Sequence, residues 1–296
     1  MKEKYIDKNF RQETLDIIEM ANAIVEEYKE KNLNLTLRQL YYQFVSRNLL
    51  SNTTSSYNKL GSIISNARLA GLLDWSAIED RTRNLKGAAH WSDPGSIIKT
   101  ALYSYRIDKW KNQEFYIEVW IEKEALIGVI SGICDDLDIN YFACKGYVSQ
   151  SEMYKGAERM KYENGKNKEC IIIHLGDHDP AGIDMTRDIQ ERQNLFCSPL
   201  YKDVYIKRIA LNMDQIEKYN PPPNPVKLTD TKAKGYIKKF GNRNWELDAL
   251  DPTTLKELIE ETVLYYRDEN IYQQDLLEEK EHKKILENLS ENWENL

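Results

Sequence analysis

A chain of 296 residues that is 41% hydrophobic and 30% charged is long enough for two domains and too apolar to be disordered. Its four cysteines (Cys134, Cys144, Cys170, Cys197) stand far apart with no C-x-x-C pair, which disfavours a structural zinc site or a disulfide framework and reads as buried or free thiols in a reducing cytoplasm. No run approaches the roughly 18 apolar residues that cross a bilayer, and the opening MKEKYIDKNF lacks a signal peptide's apolar core, so a soluble cytoplasmic protein is expected. The net charge of −7 is unevenly spread: residues 31–111 hold twelve Lys/Arg against five Asp/Glu. That segment suits a phosphate-bearing partner, and a merely solvated basic surface is the alternative.

In chain order, helical periodicity covers roughly 11–30, 36–48 and 56–70. Thr36 with Gln39 forms a capping-box pattern at the second helix, and the polar SNTTSS (51–56) supplies a turn before the third. Three short helices with a tight turn suggest a helix-turn-helix or winged-helix unit. In LTLRQLYYQFVSRN, Leu37, Leu40, Tyr41, Phe44 and Val45 form an apolar stripe; Tyr42 projects about 130° from its centre, near Arg38. Tyr42 is therefore either an ordinary surface tyrosine or a functional one.

Beyond WKNQ (110–113) the pattern changes to short apolar runs: FYIEVWIE (115–122), NYFACKG (140–146), ECIIIHLGD (169–177) and DVYIKRIAL (203–211). Such runs, separated by helical stretches, predict buried parallel strands of an α/β layer fold. The expected division is residues 1–112 and residues 113–296, with PPPNP (221–225) punctuating a peripheral extension and helix returning from about 252.

ECIIIHL runs into Gly176-Asp177-His178-Asp179-Pro180-Ala181-Gly182. In extended chain Asp177 and Asp179 point to one side, and Glu122 ends an earlier strand, so three carboxylates are expected at the carboxyl edge of one sheet. Oxygen ligands without His or Cys favour Mg²⁺, with Mn²⁺ as a substitute. Asp177 and Asp179 acting simply as helix caps is the bland alternative. His174 reads as a core histidine, His178 points away from the aspartates, and the placement of Glu246 and Asp248 is not fixed by the sequence.

IEKEAL, KGYVSQ (145–150) and LGDHDPAG together resemble the Toprim domain of topoisomerases and primases. RQLYY upstream of them resembles the A subunit of type IIB topoisomerases (topoisomerase VI) and the related meiotic double-strand-break proteins, with Gln39 where that motif has Asp. NWELDAL (244–250) is similar to the family's acidic carboxyl-terminal segment.

This resemblance implies a mainly helical, CAP-like winged-helix domain joined to a Rossmann-like Toprim parallel sheet, in a nucleoid-associated, DNA-cleaving enzyme of the isomerase class. It makes Tyr42 the nucleophile forming a 5′-phosphotyrosyl bond, Arg38 its catalytic partner, Glu122, Asp177 and Asp179 the Mg²⁺ ligands, and Gly146 and Gly182 the turn glycines. A homodimer on DNA is implied, and a separate ATPase subunit is a partner the resemblance allows. Arg68, Arg81, Arg83 and Lys86 are the expected DNA contacts. A metal-dependent nuclease using water, and a non-catalytic DNA-binding scaffold, are the alternative functions.

Overall fold

The structure, a computed structural model, describes residues 2–31, 33–79, 88–197 and 200–292. Three helices open it: α1 (Gln12–Glu30), α2 (Leu37–Ser46) and α3 (Thr54–Leu69). Their apolar faces, among them Ile24, Tyr28, Leu40, Phe44, Leu60 and Ile64, close one hydrophobic core. At α2 the Gln39 N–H donates to Thr36 Oγ1 (3.3 Å) and the Thr36 N–H to Gln39 Oε1 (2.8 Å), so two helix-end donors are satisfied reciprocally. Thr53 accepts from the Ser56 N–H at 3.1 Å, which starts α3 at Thr54 rather than at 56. Among the described residues this layer has only the isolated bridges Lys4–Ala70 and Leu35–Ile78 in place of wing strands.

After α4 (Pro94–Ser104) the chain enters the sheet through β1 (Phe115–Ile121), α5 (Ile127–Asp136), β2 (Asn140–Ala143), α6 (Gln150–Gly165), β3 (Glu169–Leu175), α7 (Pro180–Cys197) and β4 (Tyr205–Ala210). The four strands lie in the order β2-β1-β3-β4, every neighbour parallel. The period of two explains why both faces are apolar. Ile117, Val119 and Ile121 with Ile171, Ile173 and Leu175 pack on one side with Val129 and Ile130 of α5. Trp120, Cys170 and Ile172 pack on the other with Met153 and Met160 of α6 and Ile189 of α7. The chain is thus mixed α/β, with a buried four-stranded parallel sheet and helices on both faces.

α8 (Met213–Tyr219) leads through the proline segment to β5 (Asn224–Pro225), α9 (Ala233–Phe240) and β6 (Arg243–Asn244), with β5 and β6 antiparallel. Then α10 (Pro252–Tyr266) covers the α5 side through Leu255, Ile259 and Val263. α11 (Glu269–Glu291) reaches back to the segment that follows α4, where Tyr105 Oη meets His282 Nδ1 at 2.7 Å and Lys109 donates to Glu279 at 2.7 Å. No described helix is long and apolar enough to cross a membrane.

Candidate functional site

β1 connects to β2 on one side while β3 and β4 lie on the other, so the chain reverses direction across the sheet between the carboxyl ends of β1 and β3. Ligands of open α/β sheets bind at such a switch point. Glu122 and Lys123 leave β1 there, and Gly176 and Asp177 leave β3. The segment after β6 brings Glu246 and Asp248 to the same place, and α2 brings Arg38. Arg38, Glu122, Lys123, Asp177, Glu246 and Asp248 line a cleft of about 760 Å³, a size that suits a small molecule.

Lys123 is the hub. Its Nζ lies 2.8 Å from Asp248 Oδ2, 3.0 Å from Glu246 Oε2 and 3.0 Å from Asp177 Oδ1. Burial works against its charge, but Asp177, Asp248 and Glu246 outweigh it and hold the ammonium well above the ordinary lysine range. Arg38 pairs with Glu246, lies 3.4 Å from Asp248 and stacks its guanidinium 5.8 Å from the centre of the Tyr42 ring. Glu122 Oε2 accepts the Asp177 N–H at 2.7 Å. Burial, then the charge of Asp177, pushes the Glu122 carboxyl up to about 7.

The three acids expected to share Mg²⁺ all line the cleft, but their oxygens are engaged differently. Asp177 Oδ1 accepts the Leu247 N–H at 2.8 Å and pairs with Lys123. Asp179 Oδ1 accepts the Gly182 N–H at 2.6 Å and so caps α7, the bland alternative from the sequence. β3 ends at Leu175, yet His178 still bridges Trp245, and the two aspartates on either side of it both line the cleft. Among the described residues no group of three or more His, Cys, Asp or Glu side chains could hold a metal ion, and the Mg²⁺ or Mn²⁺ expectation is corrected on that ground.

Tyr42 was expected to project away from the core, and here the structure differs: its side chain is buried with the helical cluster, under the seam that carries Arg38 and Glu246. Burial, then Glu246, pushes its phenol up to about 12. Arg68 donates to the Trp75 carbonyl at 2.9 Å and to the Ile78 carbonyl, holding a loop of its own layer. Arg81, Arg83 and Lys86 lie outside the described residues. Gly146 has φ +83°, a conformation that favours glycine. His174 is buried against Thr186 (2.9 Å), and His178 packs among Tyr236, Phe240 and Trp245, away from the cleft carboxylates. Sequence reasoning missed Lys123, although it directly follows the glutamate that was singled out.

The raised Glu122 carboxyl has a consequence for stability. Between the ordinary 4.5 and about 7 the folded chain holds a proton that the unfolded chain has released, so Glu122 makes stability fall as pH rises through that window. Glu122→Gln is expected to flatten this part of the profile, which urea unfolding across the window checks.

Fold and site thus define an α/β protein with a charged cleft at the switch point of a parallel sheet. No protein-family profile matches the chain. It is 29% identical over 127 residues to the mitochondrial aspartate aminotransferase of Saccharomyces cerevisiae, a match covering 37% of this chain and 27% of that protein. The chain therefore spans about a quarter of the length of the curated relative it matches. This similarity runs against the topoisomerase VI A resemblance. The assignment is corrected accordingly, together with Toprim-type DNA cleavage, the nuclease alternative and the isomerase class.

Amino-group transfer as a reaction class runs on pyridoxal phosphate, held by a lysine imine and an anion cradle. The cleft does not fit that cofactor. Imine formation needs a neutral amine, whereas Lys123 is held as an ammonium by three carboxylates. A phosphate would enter a wall where Glu122, Glu124, Asp177, Asp179, Asp230, Glu246 and Asp248 outnumber Arg38, Lys123, Lys145 and Lys227.

Proposed function

We propose that the cleft binds a small molecule through a primary ammonium group and that Glu122 is the group that exchanges a proton there. The observation that carries this reading is Lys123: the protein already seats an ammonium among Asp177, Glu246 and Asp248. The excess of carboxylates over cations extends that preference to the open part of the cleft, where Asp179 and Glu122 stand. At about 4 Å and an effective dielectric near 20, one added cation–carboxylate contact is worth about 4 kcal/mol before desolvation, and a phosphate would meet the opposite sign. The partial similarity to an aspartate aminotransferase supports the same ligand class, an amino compound. Lys145 and Lys227 at the rim can meet a ligand carboxylate, which keeps amino acids within the class.

Calorimetric titration with putrescine, L-lysine, L-aspartate and pyridoxal phosphate tests the reading. Putrescine and L-lysine should bind more tightly than L-aspartate, and Asp179→Asn or Glu122→Gln should weaken putrescine about tenfold, roughly 1.4 kcal/mol. Pyridoxal phosphate bound as a coloured imine, with no amine bound, would overturn it.

A further inference from the structure

The cleft carboxylates stand on a turn that is held from beneath by one side chain. Arg208, on β4, is partly buried and carries its guanidinium under the exit of β3. Nη2 donates to the carbonyls of Gly176 (2.8 Å), Asp177 (2.6 Å) and Leu211 (3.3 Å). Nη1 donates to the Gly182 carbonyl (3.1 Å) and to Thr186 Oγ1 (2.9 Å). Every one of these partners is uncharged, and among the described residues Arg208 has no ion pair within 4.0 Å. A cation in such a position is costly, and the five hydrogen bonds of Nη1 and Nη2 offset that cost, while Nε is buried without a partner.

The geometry also says what the fork accomplishes. Asp177 sits on the segment gripped by Nη2, and Asp179 is tied through the Gly182 N–H to the first turn of α7, which Nη1 grips. At Gly176 an added Cβ would lie 2.9 Å from Glu122 Oε2 and 3.2 Å from Arg208 Nη1, so carboxylate and guanidinium face each other across a residue without a side chain. A planar guanidinium can reach two backbone segments at once, whereas an ammonium is a single point of donation.

We infer that Arg208 is a positioning residue, clamping the exit of β3 to the start of α7 and thereby setting where Glu122, Asp177 and Asp179 present their oxygens to an amine. This rests on the amine-site reading for its functional half only. The test compares Arg208→Lys, Arg208→Gln and Thr186→Val, reading the amide NMR resonances of Asp177 and Gly182 and the calorimetric affinity for putrescine. Thr186→Val removes one acceptor and leaves the guanidinium intact, so it reports on the clamp even where an Arg208 variant does not fold.

In both Arg208 variants both amide resonances should move and putrescine should weaken about tenfold, with no rescue by lysine; Thr186→Val should move the Gly182 resonance in particular. Variants that lose stability yet keep both resonances and the affinity would overturn the positioning role. A wild-type chain that ignores putrescine, while the amide resonances still move in the variants, would sink the amine reading and leave the clamp standing.

Discussion

Lys123→Met is expected to destabilise the chain by roughly 3–5 kcal/mol at neutral pH, the cost of removing one member of a buried charge cluster. The side chain is only 21% exposed and is the common partner of Asp177, Glu246 and Asp248, so its loss leaves three carboxylates with Arg38, on Glu246 and Asp248, as the remaining cation. Like charges at such distances raise each other's pKa in the folded state. The deficit should therefore shrink as pH falls and the folded chain takes up protons. Adding Asp248→Asn to Lys123→Met should recover part of the loss, because one of the repelling charges is gone. Urea unfolding of the single and double variants measures both effects, and a loss below about 1 kcal/mol at neutral pH would show that the cluster is not held by Lys123.

The second large effect is expected at Gly182, in the first turn of α7. A Cβ there would lie 2.2 Å from the Asp177 carbonyl oxygen, a backbone atom that cannot swing aside, and 3.1 Å from Glu122 Oε2. Gly182→Ala must push α7 away from the exit of β3, and overpacking of this kind costs about 1–3 kcal/mol or more. The same shift pulls Asp179 off its cap and opens the contact of Glu122 with the Asp177 N–H, so amine binding should be lost along with stability. Gly132→Ala is the matched control. Gly132 lies in α5, has nothing within 4 Å of the added methyl, and should be neutral or stabilising by up to about 1 kcal/mol. Thermal unfolding and calorimetry on the two variants check the contrast.

Much of the architecture was legible because burial on two faces leaves a simple trace. FYIEVWIE and ECIIIHL carry apolar residues on alternate sides, and the structure puts Ile117 and Val119 against α5 and Trp120 against α6 and α7. Thr36 and Gln39 announced the start of α2 because a cap is a local bargain among four residues.

The site was legible only in its members, not in their relations. Asp177 and Asp179 face one cleft with His178 turned away, as alternation predicts, but that Asp179 also caps α7 beyond the end of the strand at Leu175 is a tie the period of two does not show. A helical wheel shows that Tyr42 leaves the stripe of α2; it cannot show that the segment around Glu246, some two hundred residues later, covers it. Lys123 passed unnoticed for the same reason, since two of its three partners arrive from that distant segment. Short motifs such as RQLYY and LGDHDPAG suggested a family, but they fix too few contacts to fix a function.

The most direct measurement is a crystal structure of the chain grown with saturating putrescine. A ligand nitrogen is expected about 3 Å from oxygens of Glu122 and Asp179, with Lys123 still paired to Asp177, Glu246 and Asp248. Density for the amine elsewhere on the molecule, or a cleft that stays empty of it while accepting phosphate, would contradict the account.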